Sequence, residues 1–550
     1  MKDLANTATE DAESHLKVIA LLAAQNGQLK DELLTTRESL LERDKRIDHL
    51  ASQVEWFKEQ AQIGRYRQFA NTSEQLKSEE DMQSLPLFDD AEVCSETPEE
   101  PSTKPVAEEE TVTVPEHKRK KPGRKPLPKD LPREVIELKL PEEEQRCSCC
   151  GEPLIVFAKD TSERLKHIPE QFIIQETIRY KYACKNKCDK SVKMAELPKA
   201  AIPKSIATEE LLAHMIISKY VDHLPLYRQE KIYERAGIDI DRTNLSNWIF
   251  KCADLFEPMV NLFKTEIQQG NYTNADETPV RLITENGVIK TSKAYMFVYV
   301  GGDRSSPHIL YDYQSTRSGE SAEAMLKDFK GYLQTDAFSG YDRFKKDPDI
   351  TLVGCFAHAR RKYYEITKIT KGPGLAQEGL NFITRLYKIE KAFKKGDPPG
   401  IIQRTRQERS KPILEEMERW LKKNMPKTPP QSLIYKAMFY TYNHWDVLTA
   451  YIKDGKLSID NNVAENAIRP FALGRKNWLF CGNEKGAKAS AIMYSIVETC
   501  RANKIKPEDY VLYLLKNLPY GDKHDPTSYQ QHTPRAYKLR LQAQSVKINI

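Results

Sequence analysis

A chain of 550 residues is too long for one ordinary hydrophobic core, so about three or four domains joined by linkers are expected. Its 85 lysines and arginines against 79 acids leave a net charge of only +6, so bulk charge is no argument for a nucleic-acid partner and local charge must decide. No run of about 18 apolar residues occurs, and the start MKDLANTATEDAESH has neither a basic segment nor an apolar one, which argues against a membrane span or secretory signal and for a cytoplasmic location.

Residues 1–76 read as an N-terminal coiled coil. From Ile19 to Phe57 a heptad frame places Ile19, Asn26, Leu33, Leu40, Ile47 and Val54 at a, and Leu22, Leu29, Thr36, Arg43, Leu50 and Phe57 at d. Nine of these twelve are apolar, and a single Asn at a is the device that fixes register in two-stranded coiled coils, so a parallel homodimer is expected. The plainer alternative is a long amphipathic helix packed on its own chain, and Thr36 and Arg43 favour it. Residues 77–130 have the Pro-, Glu-, Ser- and Lys-rich composition of a disordered linker. Its charge is segregated: nine acids and one lysine lie between Asp89 and Glu110, whereas HKRKKPGRKPLPK, residues 117–129, carries seven basic residues and no acid. Such a run is ordinarily a solvated tail; a basic arm lying on DNA through Arg119, Arg124 and Lys125 is the sharper reading.

Residues 131–200 read as a zinc-binding module. Of ten cysteines, half fall within residues 147–188, which in a reducing compartment points to metal before disulfide. Cys147 with Cys150, and Cys184 with Cys188, form two chelating pairs whose four thiolates would satisfy a tetrahedral Zn²⁺. Cys149 could replace either neighbour in the first pair, and buried free thiols are the alternative. Residues 201–260 then read as a helix-turn-helix: LPLYRQEKIYERAGIDIDRTNLSNWIFKC gives a helix, a turn at Gly237 and a second helix opening near Asp241 to Asn244. Leu226, Ile232 and Ala236 are expected to face Leu245, Trp248 and Ile249, leaving Arg242, Thr243, Asn244 and Asn247 to read DNA.

The catalytic core is expected in two parts, residues 261–369 and 455–505, separated by a helical insertion at 370–454 and followed by a C-terminal segment, 506–550. Strands are read at 271–283, 294–302, 308–314, 331–338 and 351–356, with a helix at 318–329 and another from His358. A three-strand meander, a helix and a further strand is the opening order of a ribonuclease H-like α/β fold, so the whole chain is read as multidomain α/β. Asp276 then falls on the first strand and Asp336 at the end of the fourth, which are neighbours in that fold, so both carboxylates converge as candidate metal ligands. Lone acids at strand ends are more often turn formers. Glu277 should point to the opposite face of a regular strand. In DNNVAENAIRP, Glu465 supplies a third acid four residues before Arg469, with Asp460 as an N-cap. His358, Arg360 and Arg361 are read as ordering the site or contacting DNA backbone. Arg469, Arg475 and Lys476 are candidate phosphate contacts, and Trp478 is read as core.

Taken together, the heptads followed by FANTSEQL, then GRKPLPKDLPRE, the Cys pairs, LPLYRQEKI, NADETPV, LQTDAFSGYD, GCFAHARRKYYE, IDNNVAENAIRPFALGRKNWLF and KPEDYVLYLLKNLP occur in one order along the chain. In this it resembles the transposases of the bacterial insertion-sequence 66 family, a branch of the Asp-Asp-Glu (DDE) transposases, over nearly its whole length. Asn466 departs from the Arg expected after the Glu, and Ala70 from a Gly. The resemblance implies a transposase that binds the terminal repeats of its element and a target DNA, works as a homodimer or larger synaptic assembly and is encoded beside small accessory proteins. It implies cleavage and strand transfer by Asp276, Asp336 and Glu465 with two Mg²⁺ (or Mn²⁺) ions. The alternatives are a catalytically inactive, transposase-derived DNA-binding regulator or accessory factor, and a nuclease that cuts without joining.

Overall fold

The computed structural model describes residues 2–69, 172–178, 180–182, 193–194, 196–285, 288–370, 373–394, 396–522, 525 and 527–548. Residues 88–197 group as one unit and the rest of the chain as another. In the smaller unit Lys181–Tyr182 pairs antiparallel with Lys193–Met194, so a short ribbon brackets the Cys184 and Cys188 segment. All four candidate zinc ligands, Cys147, Cys150, Cys184 and Cys188, and the basic arm with Arg119, Arg124 and Lys125, lie outside the described residues.

Helix α1 (Lys2–Phe69) spans the heptad region without interruption. Leu22, Leu29, Leu33, Leu40, Ile47, Leu50 and Val54 are each more than half exposed, so the expected a/d seam lies on the surface of the chain. Thr36, one of the polar d residues, returns its hydroxyl to the Glu32 carbonyl at 2.7 Å.

Helices α2 (Glu209–Tyr220), α3 (Leu226–Arg235) and α4 (Arg242–Gln268) follow. Gly237 carries φ +76° in the turn after α3, a left-handed conformation that favours glycine. Asp241 caps α4 by accepting a hydrogen bond from the Asn244 N–H at 2.7 Å. Leu245, Trp248 and Ile249 are buried as expected, and Leu226 and Ile232 are half-buried. Ala236 is exposed instead, because α3 ends one residue earlier and Tyr233 takes the buried position. Arg242, Thr243, Asn244 and Asn247 are exposed along the start of α4, which continues without a break to Gln268.

The central sheet has the order β3-β2-β1-β4-β5, built from β1 (Tyr272–Glu285), β2 (Val288–Asp303), β3 (Ser306–Gln314), β4 (Gly331–Gln334) and β5 (Ile350–Val353). The first three form an antiparallel meander, and β4 and β5 add in parallel on the other side of β1. Between β3 and β4 lies α5 (Gly319–Leu326). All five strands and this helix overlap their expected ranges, but β4 ends at Gln334 and β5 at Val353, short of the expected 338 and 356. β2 starts six residues before the expected 294, since it pairs with β1 as far as Glu285↔Val288.

Beyond β5 come α6 (Phe356–Thr370), α7 (Leu375–Glu390), α8 (Lys411–Asn424) and α9 (Leu433–Asn443), with shorter turns between them. They close around an apolar core that includes Ile383, Leu386, Met417, Leu421 and Met438. Helix α10 (Asn462–Trp478) then lies against β1 and β2, and α11 (Glu484–Ala502) against β3 and α4. Small residues along α11 let it approach β3 closely: Ser495 Oγ accepts from the Tyr311 N–H at 2.8 Å, and Thr499 Oγ1 accepts from Ile309 N–H at 2.9 Å and donates to its carbonyl at 3.0 Å. These hydroxyls occupy the outer edge of β3, where an unpaired strand would otherwise invite another chain. Helices α12 (Pro507–Asn517) and α13 (Pro534–Ile548) complete the described fold.

Candidate active site

β1 and β4 pair in parallel only from Tyr272↔Tyr332 to Asn274↔Gln334, and there the two strands part. Asp276 and Asp336 each stand two residues beyond that last pair, so the split in the sheet carries a carboxylate on both sides. Asp276 remains inside β1, because β2 still pairs with it through Val298. The residue is only 6% exposed and lies well inside the strand rather than at its end. Asp336 lies past the end of β4 in a turn, two residues beyond the strand rather than on it. Its Oδ1 accepts from Phe338 N–H at 2.9 Å, Ala337 is held at φ +65°, and the Tyr440 hydroxyl donates to its carbonyl at 3.0 Å.

Where β4 leaves, α10 and the segment after it take over the exposed edge of β1. Asn461 Nδ2 donates to the Ala275 carbonyl at 2.9 Å, Arg475 Nη1 donates to the Pro279 carbonyl and to Thr278 Oγ1, and Cys481 N–H donates to the Arg281 carbonyl at 2.9 Å. These carbonyls alternate along one side of the strand, as ladder acceptors must. Arg475, a candidate phosphate contact, is therefore engaged by β1. Lys476 is exposed and Arg469 half-buried. Trp478, read as core, is only half-buried; it packs edge-on against the buried Phe471 with ring centroids 5.2 Å apart.

Glu465 enters on the first turn of α10, whose N-cap is Asn461 rather than Asp460. Asp460 instead accepts from the Tyr387 hydroxyl at 3.2 Å. Glu465 Oε1 lies 3.1 Å from His358 Nε2, in the first turn of α6, and 3.8 Å from Cys355 Sγ, just before that helix. His358 thus orders a carboxylate, one of the two roles open to it from sequence. Among the described residues, Cys355, His358 and Glu465 form the group whose donor atoms all come within 4.8 Å of one another; Asp276, Asp336 and Glu465 do not meet that closely.

Glu277 is buried and fully engaged. Arg317 Nη2 lies 2.6 Å from its Oε1, Tyr341 OH donates to its Oε2 at 2.8 Å, and the Arg317 guanidinium sits 3.6 Å from the Phe338 ring centroid. Through these contacts Glu277 braces the turn that carries Asp336.

The electrostatics separate the acids. Burial, then the negative charges of Glu277, Asp336 and Glu465, push the Asp276 carboxyl well above its ordinary range. Burial also raises Glu277, with Asp336 adding to it and Arg317 opposing it. Burial would raise Glu465 too, but the hydrogen bond and charge of His358 with the charge of Arg361 outweigh it and hold that carboxyl below its usual value. Asp276 Oδ2 is buried and has no hydrogen-bond partner. An orphaned carboxylate oxygen, pressed by three other carboxylates, is a place where a hard divalent cation would relieve both the missing bond and the repulsion.

The acids gather at a split in the sheet of a mixed α/β core, and comparison with known proteins narrows the class to transposases. The family described as "Transposase IS66 family" matches residues 204–489. A region described as "Transposase C of IS166 homeodomain" matches 56–136, and a "zinc-finger binding domain of transposase IS66" matches 144–189, a span containing all four candidate zinc ligands. The chain belongs to the IS66 transposase family. Among its relatives are the uncharacterized proteins y4hP and y4qI of Sinorhizobium fredii. The first is 30% identical over 434 residues, covering 75% of this chain and 77% of the relative. The second is 31% identical over 420 residues, covering 73% and 76%. No helix among the described residues is long and apolar enough to cross a membrane.

Proposed function

We propose that this chain moves its own insertion sequence, binding the element ends and cutting and joining DNA in a ribonuclease H-like core through Asp276, Asp336 and Glu465. One observation carries the reading: the sheet splits between β1 and β4 with Asp276 and Asp336 at matching positions beyond the split, and Glu465 is near enough to raise Asp276. The strand order β3-β2-β1-β4-β5, with one antiparallel meander and two parallel additions, supports the fold assignment.

The donor set suits Mg²⁺ or Mn²⁺, which take carboxylate and water oxygens and need few protein ligands when a substrate phosphate adds its own. Two such ions, when bound, would stabilise the attacking and leaving oxygens of an in-line displacement at phosphorus. Asp276 offers its unpartnered Oδ2. Asp336 is presented by a turn fixed at its own carbonyl by Tyr440. Glu465 is kept ionised and oriented by His358. Glu277, ion-paired with Arg317 and hydrogen-bonded by Tyr341, stays out of the ligand set and holds the Asp336 turn. Arg242, Thr243, Asn244 and Asn247 supply the exposed face for reading DNA, Arg119, Arg124, Lys125, Arg469 and Lys476 add backbone contacts, and the Cys147, Cys150, Cys184 and Cys188 set holds Zn²⁺. The exposed seam of α1 pairs two copies for synapsis.

The test is movement in cells of a marked element bounded by the gene's own flanking DNA, with neighbouring small genes supplied. Wild type should move it, and Asp336→Asn should abolish movement while protein level and DNA binding persist. Equal movement by both would refute the catalytic assignment, and no movement by either would favour an inactive DNA-binding regulator.

A further inference from the structure

Each of the three carboxylates is preceded at short range by a buried side-chain amide: Asn274 two residues before Asp276, Gln334 two before Asp336, and Asn461 four before Glu465. The three amides meet. Asn274 Nδ2 donates to Gln334 Oε1 at 3.2 Å and to Asn461 Oδ1 at 3.0 Å. Asn461 Nδ2 donates to the carbonyl of Ala275, the residue before Asp276, at 2.9 Å, while the Asn461 carbonyl accepts the N–H of Glu465 itself at 3.1 Å. Gln334 Nε2 donates to the carbonyls of Gly354 at 3.1 Å and Ser458 at 2.9 Å, fastening the same point to the ends of β5 and of the segment leading into α10. The Tyr272 hydroxyl closes the cluster on Gln334 Oε1. Every amide orientation is dictated by a carbonyl or hydroxyl it faces, so the network has one consistent arrangement.

Backbone pairing cannot do this job at this place. The β1–β4 ladder stops at Asn274↔Gln334, so beyond it no sheet hydrogen bond sets the distance between Asp276 and Asp336. α10 is not part of the sheet at all. The amides stand where the ladder ends and join the three chain segments that carry the acids.

We propose that Asn274, Gln334 and Asn461 are positioning residues that fix the spacing of Asp276, Asp336 and Glu465 toward divalent cations; this rests on the carboxylate reading above. A merely structural role for these amides would lower stability and leave cation affinity alone.

The experiment is Mn²⁺ binding to the full-length, zinc-loaded protein, read from the electron paramagnetic resonance signal of free Mn²⁺, alongside thermal melting of the cation-free protein. Asp276→Asn establishes that the bound Mn²⁺ reports the carboxylates. Asn461→Ala and Gln334→Met, the second keeping most of the bulk, should each weaken Mn²⁺ binding by about ten- to a hundredfold, the range found when partners behind metal ligands are removed. Met417→Ala, buried in the helical layer, serves as a control that lowers the melting temperature and should bind Mn²⁺ as wild type does. Should either amide variant fail to fold, Asn274→Ser takes its place. If Asp276→Asn binds Mn²⁺ undiminished, the carboxylate reading fails and this proposal with it. If Asp276→Asn loses binding while the amide variants bind like Met417→Ala, the positioning proposal alone is overturned.

Discussion

At the split between β1 and β4 the interior is filled by Asn274, Asp276, Glu277, Gln334 and Asn461, all buried. Between β5 and α10, the layer built from α6 to α9 closes instead on Phe382, Leu386, Met417, Leu421 and Met438. Apolar packing is non-directional and tolerates repacking at constant volume, so that layer contributes stability without dictating one geometry. Buried polar groups accept few arrangements and are costly when left unpaired, so the split contributes geometry. The two regions are expected to fail differently when altered.

The largest effect on stability should come from the apolar side. Met417→Ala or Leu386→Ala should cost roughly 2–5 kcal/mol in urea unfolding, the usual range for truncating a fully buried side chain, and leave Mn²⁺ affinity of the folded protein intact. A smaller loss, about 1–3 kcal/mol, is expected for Arg317→Ala, which strands the buried Glu277 carboxylate. Combining it with Glu277→Gln should recover part of that loss, and strict additivity in the double-mutant cycle would show that the pair does not act as a unit.

Next comes pH. Without divalent cations, the Asp276 carboxyl titrates above its unfolded value because of burial and its acidic neighbours. Its contribution to stability is therefore complete below the ordinary carboxylate range and is lost as pH rises through the raised value. Melting of the chelated protein should show this loss as pH rises above the ordinary carboxylate range, and Asp276→Asn should flatten it. Glu465 runs the other way: its carboxyl is held low, so its contribution is present above the ordinary value and lost as pH falls through the lowered one. A chelated wild type and Asp276→Asn with identical pH profiles would break the contrast drawn here.

The smallest stability change, within about 0.5 kcal/mol, is expected for Arg242→Ala on the exposed start of α4. If that residue contacts phosphate, the same variant should reduce the slope of log affinity against log salt by about one.

The strands and the acids were legible because their signals are local. Alternation over a few residues marks β1 to β5, and NADETPV and DNNVAENAIRP mark the carboxylates. Position within an element was less legible: whether Asp276 stands at a strand's end depends on how far β2 pairs, and Ala236 is exposed because α3 stops at Arg235. The amide cluster had no local signal at all. Asn274 meets Gln334 across 60 residues and Asn461 across 187, and an isolated Asn or Gln in a strand or before a helix carries no mark of its partner. Asp460 was the more conspicuous N-cap beside Glu465, yet the chain uses Asn461, since that side chain can donate to the Ala275 carbonyl where a carboxylate would repel it.

Helix α4 joins Arg242 at one end to the residues just before β1 at the other. Twenty-seven residues at 1.5 Å each make a rod of about 40 Å. At 3.4 Å per base pair that is roughly twelve base pairs of duplex. Under the proposed function, a grip on DNA at the tip of this rod would act as a ruler, setting the distance to the acids by length rather than by sequence.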